Sequence, residues 1–531
     1  MNSKAKNFIP ADGLLGLKQN FSTDAVSGFI VFLLALPLSL GIAKASDFPP
    51  IMGLITAIIG GLLVSLISGS RLTIKGPAAG LIVIVAGSVA EFGNGDAILG
   101  WKLALGAMFI AALIQVLFGL LKLGRFVDFF PISAIRGMLA AIGIIIIAKQ
   151  IPVLLNNNPA LVVGKSPLEL LANIPIFVLN ANYKVTIIGF ICLLIMLSWP
   201  HINNKYVKMF PVPLIVLFIA IPSGLLMDFA HLEPSYTLVK IGNLVDNINL
   251  NLSFEGVSQT RTFIKYVIMF ALVGTIESLL TVKAIDLVDP FKRKSNANKD
   301  LIAIGVGNVF ASLLGGLPMI SEVARSSSNV NNGGKTRWAN FFHGFFILAF
   351  LLLASPLLEM IPNTALAAML ITVGIKLAHP REFIQTYKIG KEQLLISLVT
   401  IFFTLYEDLL VGVAVGIVLN IIIHFINGAP ISSLFHASID LYFEKNNYYL
   451  KISKSAIFSN YLGIKNKLEA IPYGFIITID LSKTKLVDHS VMENLEIFKH
   501  DYELNGGTIV IIGLENHIPL SNHPLASRKS S

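Results

Sequence analysis

Long apolar runs fill the chain up to about residue 428 and are separated by short polar or charged connections. A helix needs roughly 20 apolar residues to cross the hydrocarbon core of a bilayer. On that measure the pattern predicts about fourteen membrane-spanning segments, several of them short or broken. They are expected near residues 24–43, 51–68, 77–90, 102–121, 130–149, 184–199, 212–228, 264–285, 301–315, 322–332, 340–356, 364–378, 392–407 and 409–427. Segment 167–178 is amphipathic, and we expect it at the membrane surface.

The predicted segments divide into two halves of about seven, and an odd number gives the halves opposite orientations in the membrane. That arrangement is typical of an inverted repeat. Each half also holds one interrupted segment, at residues 71–80 and 315–329, where an extended piece with Gly and Pro precedes a helix start. Polar groups at membrane depth usually line a site. Two interrupted segments in corresponding halves therefore favour a transporter with an anion site between them.

The pattern changes after Gly428, where charge and alternation replace the apolar runs. Residues 473–481 and 506–513 are predicted to be buried strands, and 488–499 has helical spacing. This succession predicts a small α/β domain over residues 434–515. The other predicted divisions are an N-terminal segment 1–23, a transmembrane region 24–428 and a polar, loose tail 516–531.

Composition agrees with a membrane protein, because 54% of the 531 residues are hydrophobic, 13% are charged and the mean hydropathy is +0.75. The net charge of +9 does not indicate nucleic-acid binding, since the basic residues cluster beside apolar spans, as the positive-inside rule expects. Loops predicted to be cytoplasmic carry Arg71 and Lys75; Lys122 and Arg125; Lys205 and Lys208; Lys292, Arg293, Lys294 and Lys299; Lys335 and Arg337; Arg381, Lys388 and Lys391. Both termini are then cytoplasmic, and we expect a multi-pass protein of the cell's inner membrane.

The sequence offers little support for a metal site, a disulfide framework or an enzyme active site. The one cysteine, Cys192, excludes a disulfide or thiolate metal framework. His343 and His424 lie in apolar spans without a second ligand at metal spacing, and we expect both to be packed and hydrogen-bonded. The chain has no phosphate-binding loop or nucleophile elbow, so no enzyme activity is predicted.

Glu277 lies inside an apolar span, where an ionised carboxylate is costly. The functional interpretation is a coupling residue that takes a proton, or that holds Na⁺ together with Thr281 at i+4. The alternative is a structural ion pair with Lys283 or Arg325. No cofactor is predicted other than Na⁺ or H⁺ as the coupling ion.

Several segments together resemble the SulP family of inorganic anion transporters, which is related to prestin and to SulP bicarbonate transporters. They are the first helix with Ala35-Leu36-Pro37, the turn at Pro49-Pro50, Gly69-Ser70-Arg71 through Gly76-Pro77, Glu277-Ser278-Leu279-Leu280-Thr281, Gly315 to Asn329 and Gly334-Lys335-Thr336-Arg337. The end of the chain, with Asp480-Leu481-Ser482 and Asp488-His489-Ser490, resembles a STAS domain. No single motif is specific, but the combination covers nearly the whole chain.

The resemblance implies an α-helical polytopic fold with two inverted repeats arranged as core and gate domains, plus a cytoplasmic STAS-like domain. It also implies an anion between the two facing helix starts, whose unsatisfied N–H groups and dipoles attract negative charge. The substrate-binding residues are predicted to be Ser39, Gly76, Pro77, Ala78, Ala79, Ala324, Arg325 and Ser326. The implied partners are a small inorganic anion, the lipid bilayer, a second copy in a homodimer and a cytosolic regulator of the STAS domain.

Alternatives remain at several residues. Arg325 either lines the site or snorkels to the interface, and Glu322 either pairs with Arg325 at i+3 or faces the outer vestibule. Asp488 and Ser490 are either an ordinary N-cap pair, or Ser490 is a phosphorylation site. Leu38 and Ser39 stand where many relatives have a glutamine after the proline, which favours bicarbonate over sulfate.

At the level of function, the leading hypothesis is an elevator-type secondary transporter coupled to Na⁺ or H⁺. The alternatives are an anion channel or exchanger, or a membrane sensor that signals through its STAS domain without transport.

Overall fold

The computed structural model describes residues 9–124, 130–162, 165–202, 211–232, 237–241, 252–444 and 446–530. Helices, most of them apolar, make up most of it up to residue 426. They are α1 Gly13–Ala45, α2 Pro50–Ile59, α3 Ile82–Gly93, α4 Ala97–Leu120, α5 Ile132–Leu154, α6 Pro167–Ala172, α7 Ile174–Leu179, α8 Tyr183–Ser198, α9 Val212–Leu226, α10 Thr260–Val288, α11 Ala297–Leu313, α12 Val323–Asn331, α13 Trp338–Glu359, α14 Asn363–Leu377, α15 Pro380–Ile389, α16 Lys391–Tyr406 and α17 Leu409–Ile426. Two strands, β1 Ile74–Pro77 and β2 Met319–Glu322, lie among them.

A helix lies at each of the predicted apolar segments, so the positions read from the hydrophobic pattern are confirmed. Of the described helices, eight are long and apolar enough to cross a membrane. The number of crossings stays a prediction, because helices such as α3 and α12 are shorter than a bilayer is thick. Segment 167–178 forms two short helices, α6 and α7, and its place at the membrane surface also stays a prediction.

The chain divides into two compact units that are not continuous in sequence. Unit 1 comprises Met1–Gly124 and Gly143–Lys376, and unit 2 comprises Arg125–Ile142 and Leu377–Ser531. Helix α5 contributes to both.

Unit 1 contains the two strands and all of the predicted site residues. Helix α1 packs along α13, and α4 packs along α11 and α10. Small residues allow the close approaches: a side chain on Gly28 or Gly61 would collide with the backbone of α13. Glycine at such crossings is typical of helices that associate in a membrane.

Unit 2 combines the α16–α17 hairpin with a mixed sheet. Its strands are β3 Ser438–Glu444, β4 Asn447–Ala456, β5 Ile476–Val487, β6 Thr508–Ile512, β7 His517–Pro519 and β8 Arg528–Ser530. The order is β3-β4-β5-β8-β7, and β6 pairs with β5 in parallel. Two helices, α18 Tyr461–Glu469 and α19 His489–Leu504, cover a core that includes Leu450, Ile479 and Leu495.

This sheet and its helices fit the predicted STAS-like domain, with one correction. Residues 516–531 were expected to be a loose tail, yet β7 and β8 pair with each other and β8 pairs with Leu486 and Val487 of β5. The expectation was wrong because backbone pairing places polar residues in a sheet without an apolar pattern in the sequence.

The charge distribution needs a second correction. Lys75 was expected in a cytoplasmic loop, but it lies in β1 and is completely buried. Its ammonium group can lie there because it meets the Asp300 carboxylate. Arg125, Lys205 and Lys208 lie outside the described residues.

Candidate functional site

The two interrupted segments meet as a short antiparallel ladder. Lys75 stands opposite Ser321, and Pro77 stands opposite Met319. The pairing gives the backbone of both segments hydrogen-bond partners, which any extended chain at membrane depth requires. Each strand leads directly into a helix: β1 into a 3₁₀ turn, Ala79–Leu81, and α3, and β2 into α12. The two helix starts therefore lie at opposite ends of the ladder, which is itself about 10 Å long at a rise of about 3.3 Å per residue.

Arg325 lies in the first turn of α12 and is completely buried. Its guanidinium rests against Gly76, where a side chain would collide with Nη1, and Nη2 lies 3.4 Å from the carbonyl oxygen of Pro77. Its Nε and Nη1 have no hydrogen-bond partner among the described residues. The positive charge of Arg325 thus lies against β1, and two of its nitrogens can still donate hydrogen bonds.

Glu322 ends β2 and caps α12. Its Oε2 accepts a hydrogen bond from the backbone N–H of Arg325 at 2.7 Å, and it lies 3.8 Å from the Nε of the same residue. Of the two alternatives for Glu322, the structure has the i+3 pair with Arg325. The capping role, which the sequence interpretation missed, is signalled by an acidic residue just before a helix start.

Ser326 is buried, and both roles of its hydroxyl are taken. Oγ donates to the carbonyl oxygen of Glu322 at 2.5 Å and accepts from the backbone N–H of Ile74 at 2.9 Å. This hydroxyl joins α12 to β1 and has no hydrogen left to donate to an anion.

The other predicted substrate residues differ in exposure. Ala78 and Ala79 are buried at the end of β1, whereas Ala324 is exposed. Ser39 is buried within α1, and its Oγ has no hydrogen-bond partner among the described residues. The structure thus brings Gly76, Pro77 and Arg325 into contact. The backbone of Ser39 lies against Gly53 of α2, where a side chain would collide with the Ser39 carbonyl.

Glu277 lies on α10, and its carboxylate points at the first helix start. A methyl group on Gly80 would collide with both carboxylate oxygens. Glu277 is 7% exposed, and its Oε1 has no hydrogen-bond partner among the described residues. Thr281, one turn later, is also buried. The ion pair that Arg325 forms is with Glu322, not with Glu277.

A second buried charge pair lies beside the ladder. Lys75 Nζ donates to the two carboxylate oxygens of Asp300 at 3.0 and 3.1 Å, to Ser321 Oγ at 2.9 Å and to Thr73 Oγ1. The Asp300 carboxylate also accepts from Ser68 Oγ at 2.6 Å and from the backbone N–H of Ser70 at 3.1 Å. The sequence interpretation missed this pair. The available signal was a residue of opposite charge, Lys75 or Asp300, in each of two otherwise apolar parts of the chain.

In unit 2, Asp488 caps α19 by accepting the backbone N–H of Val491 at 2.7 Å. Burial raises the pKa of its carboxyl group to about 6, although hydrogen bonds from Val491 and Phe458 oppose the shift. Ser490 is buried, and its Oγ accepts the backbone N–H of Ile132 at 3.3 Å. The N-cap interpretation of this helix start is confirmed for Asp488. His424 lies 3.4 Å from the same carboxylate.

Comparison with known proteins connects these features to a family. The family model described as "Sulfate permease family" matches residues 21–400. The chain is 28% identical to the putative sulfate transporter YvdB of Bacillus subtilis, over 76% of this chain and 73% of that protein. It is 27% identical to the bicarbonate transporter BicA of a Picosynechococcus strain, over 75% of this chain and 69% of that protein. The fold of SLC26A9 covers 94% of this chain and 85% of that one, with a TM-score of 0.66 at 14% identity.

Proposed function

The chain belongs to the sulfate permease family, and from that premise we propose that it is a secondary transporter that carries an inorganic anion across the inner membrane, driven by Na⁺ or H⁺. The observation that carries the proposal is the β1–β2 ladder, which has a helix start at each end and the Arg325 guanidinium against Gly76 of β1. Two helix N-termini and one cation attract an anion, and backbone donors bind it weakly enough for release.

Coupling is assigned to Glu277, whose carboxylate faces the first helix start at Gly80. When ionised, this group repels an anion from that helix start; when protonated, or beside a bound Na⁺, it does not. The driving ion and the anion are then favoured together, which is the requirement for symport. Thr281 supplies a hydroxyl oxygen one turn away if the ion is Na⁺.

Bicarbonate is the substrate that we favour, and sulfate is the alternative. One relative is named a bicarbonate transporter and another a putative sulfate transporter. Ser326 already donates its hydroxyl hydrogen to Glu322, and the side chain of Leu38 has no donor. A singly charged anion needs fewer donors than sulfate. We further propose elevator-type movement, a homodimer, cytoplasmic termini and a STAS-like domain that receives a cytosolic regulator.

The test is uptake of labelled bicarbonate and labelled sulfate into proteoliposomes, each with a Na⁺ gradient, a H⁺ gradient or neither. Sodium-driven bicarbonate uptake supports a carbon-supply symporter with a cation site at Glu277 and Thr281. Proton-driven sulfate uptake would reassign Glu277 as a proton carrier. Flux that ignores both gradients and exceeds carrier turnover would favour a channel, and absence of flux would favour a sensor.

A further inference from the structure

Buried polar side chains of unit 1 differ in whether the protein gives them partners. For His343 on α13, neither ring nitrogen has a hydrogen-bond partner among the described residues, so the expectation that it is hydrogen-bonded is wrong. Asn308 on α11 is also buried, yet its amide makes three hydrogen bonds. The proposed mechanism gives Asn308 no role, and a polar side chain inside an apolar membrane segment requires an explanation.

The amide of Asn308 pairs with the backbone of β2. Its Oδ1 accepts the N–H of Met319 at 2.6 Å, and its Nδ2 donates to the carbonyl oxygen of the same residue at 3.1 Å. Both backbone groups of Met319 therefore face away from β1, as they do at alternate positions of an antiparallel pair. The amide completes the outer edge of β2 in the way that a third strand would, which a strand at membrane depth requires.

This edge lies at the end of the ladder that leads into the first helix start. Met319 stands opposite Pro77, and the 3₁₀ turn begins two residues later at Ala79. The carbonyl oxygen of Pro77 lies at the other edge of the ladder, 3.4 Å from Nη2 of Arg325. Asn308 and Arg325 therefore contact the same residue pair of the ladder from its two edges.

A second buried amide orients the first. Gln115 on α4 accepts the other hydrogen of Asn308 Nδ2 at 2.8 Å, through its Oε1. Its Nε2 lies against α10, because a side chain on Gly274 would come within 2.9 Å of that nitrogen. Exchanging the oxygen and nitrogen of Asn308 would set two N–H groups against each other at Met319, so the network allows one orientation of the amide.

We propose that Asn308 is a positioning residue for the anion site, whose amide fixes β2 against β1 at Pro77 and so sets the direction of the backbone donors at the first helix start. An anion that is bound by backbone N–H groups depends on where those groups point. A strand that lost its outer partner would misplace them. The inference rests on the proposed anion site.

The contribution of Asn308 differs in kind from that of Arg325. Replacing the amide removes no charge, so bicarbonate and sulfate should be weakened by the same factor. Loss of the guanidinium should instead weaken the doubly charged anion more. The ratio of the two KM values therefore distinguishes displaced backbone donors from a lost charge.

The experiment measures KM and kcat for labelled bicarbonate and sulfate in proteoliposomes with full-length N308L, Q115M and S312A. Leucine is close to asparagine in shape but leaves both backbone groups of Met319 unpaired. N308L should therefore raise KM about tenfold for both anions, while kcat changes by less than about twofold. Q115M keeps the bonds to Met319 and loses only the orienting one, so its KM should rise about threefold.

S312A is the matched control. Ser312 lies one turn after Asn308 on the same helix, is equally buried and donates to carbonyl oxygens of its own helix. Its removal should leave both KM values at the wild-type level. Elution as a monodisperse species checks folding.

A wild-type KM in folded N308L would overturn the inference, as would a loss confined to kcat or an equal rise of KM in S312A. If N308L does not fold, a wild-type KM in Q115M would overturn it. A wild-type protein that neither binds nor moves either anion would instead overturn the proposed function, so the two failures are distinguishable.

Discussion

Two sets of buried charges lie within unit 1, and they differ in how well the protein satisfies them. Around Lys75 and Asp300, each charged atom meets hydrogen-bonding partners of the protein. Around Arg325 and Glu277, guanidinium nitrogens and a carboxylate oxygen have no partner among the described residues. Burying a charge without partners is costly, so a set that stays incomplete is where a ligand is expected. The first set is a buried ion pair that stabilises the fold, and the second is the candidate binding site.

The largest expected effect comes from breaking the ion pair between Lys75 and Asp300. K75M or D300N should each lower the free energy of unfolding by about 3–5 kcal/mol, because each leaves an uncompensated buried partner. The double variant K75M/D300L should recover most of that loss, since it buries no unpaired charge. Thermal unfolding in detergent measures this. Single variants as stable as the wild type would mean that the ion pair does not stabilise the fold.

Removing the Arg325 charge should act on binding and leave folding largely intact. R325A is expected to weaken anion affinity about tenfold, equivalent to about 1.4 kcal/mol, and sulfate should lose more than bicarbonate because it carries twice the charge. Binding to purified protein measures the change. R325K is the matched control, since it keeps the charge but loses the planar fork. Normal affinity in R325A would remove Arg325 from the site.

A smaller effect is expected at the contact between Gly80 and Glu277. In G80A the new methyl group collides with the carboxylate, so the carboxylate must move away from the helix start. Gradient-driven accumulation should fall a few-fold, while counterflow exchange of the labelled anion should be kept. A matching loss of counterflow in G80A would show that Gly80 acts through something other than this carboxylate.

The smallest effect is expected from an exposed pair. Asp12 accepts hydrogen bonds from Arg71, from Nε to its two carboxylate oxygens at 3.0 and 3.1 Å and from Nη2 at 2.8 Å, and these hold the pKa of its carboxyl group below the usual 3.8. A lowered pKa contributes stability that is present above pH 3.8 and lost as the pH falls through the folded value. Because Asp12 is largely exposed, D12N should cost at most about 1 kcal/mol. Thermal unfolding at pH 7 and at decreasing pH below 3.8 checks this, and the difference between the wild type and D12N should shrink as the pH falls.

The helix positions and the candidate charged residues could be predicted from the sequence, but the partners of those residues could not. The hydrophobic pattern fixes the helix positions, and the interruptions at Gly76-Pro77 and Gly315-Gly316 mark the two strands. Glu277 and Arg325 attract attention because each is charged in apolar surroundings. The partner of Lys75 was missed, because pairing with Asp300 depends on two elements that are 225 positions apart in sequence. The position of the Glu277 carboxylate against Gly80 was equally unpredictable, since it depends on how α10 packs on a neighbouring helix start.

The most direct test compares E277Q with the wild type in two assays on the same proteoliposomes. Counterflow exchange of the labelled anion requires binding and movement but no ion gradient, whereas gradient-driven accumulation requires coupling. The account predicts that E277Q keeps counterflow and loses accumulation, because glutamine preserves the shape of the side chain but neither ionises nor takes a proton. Accumulation at the wild-type level in E277Q would contradict the assignment of coupling to this carboxylate.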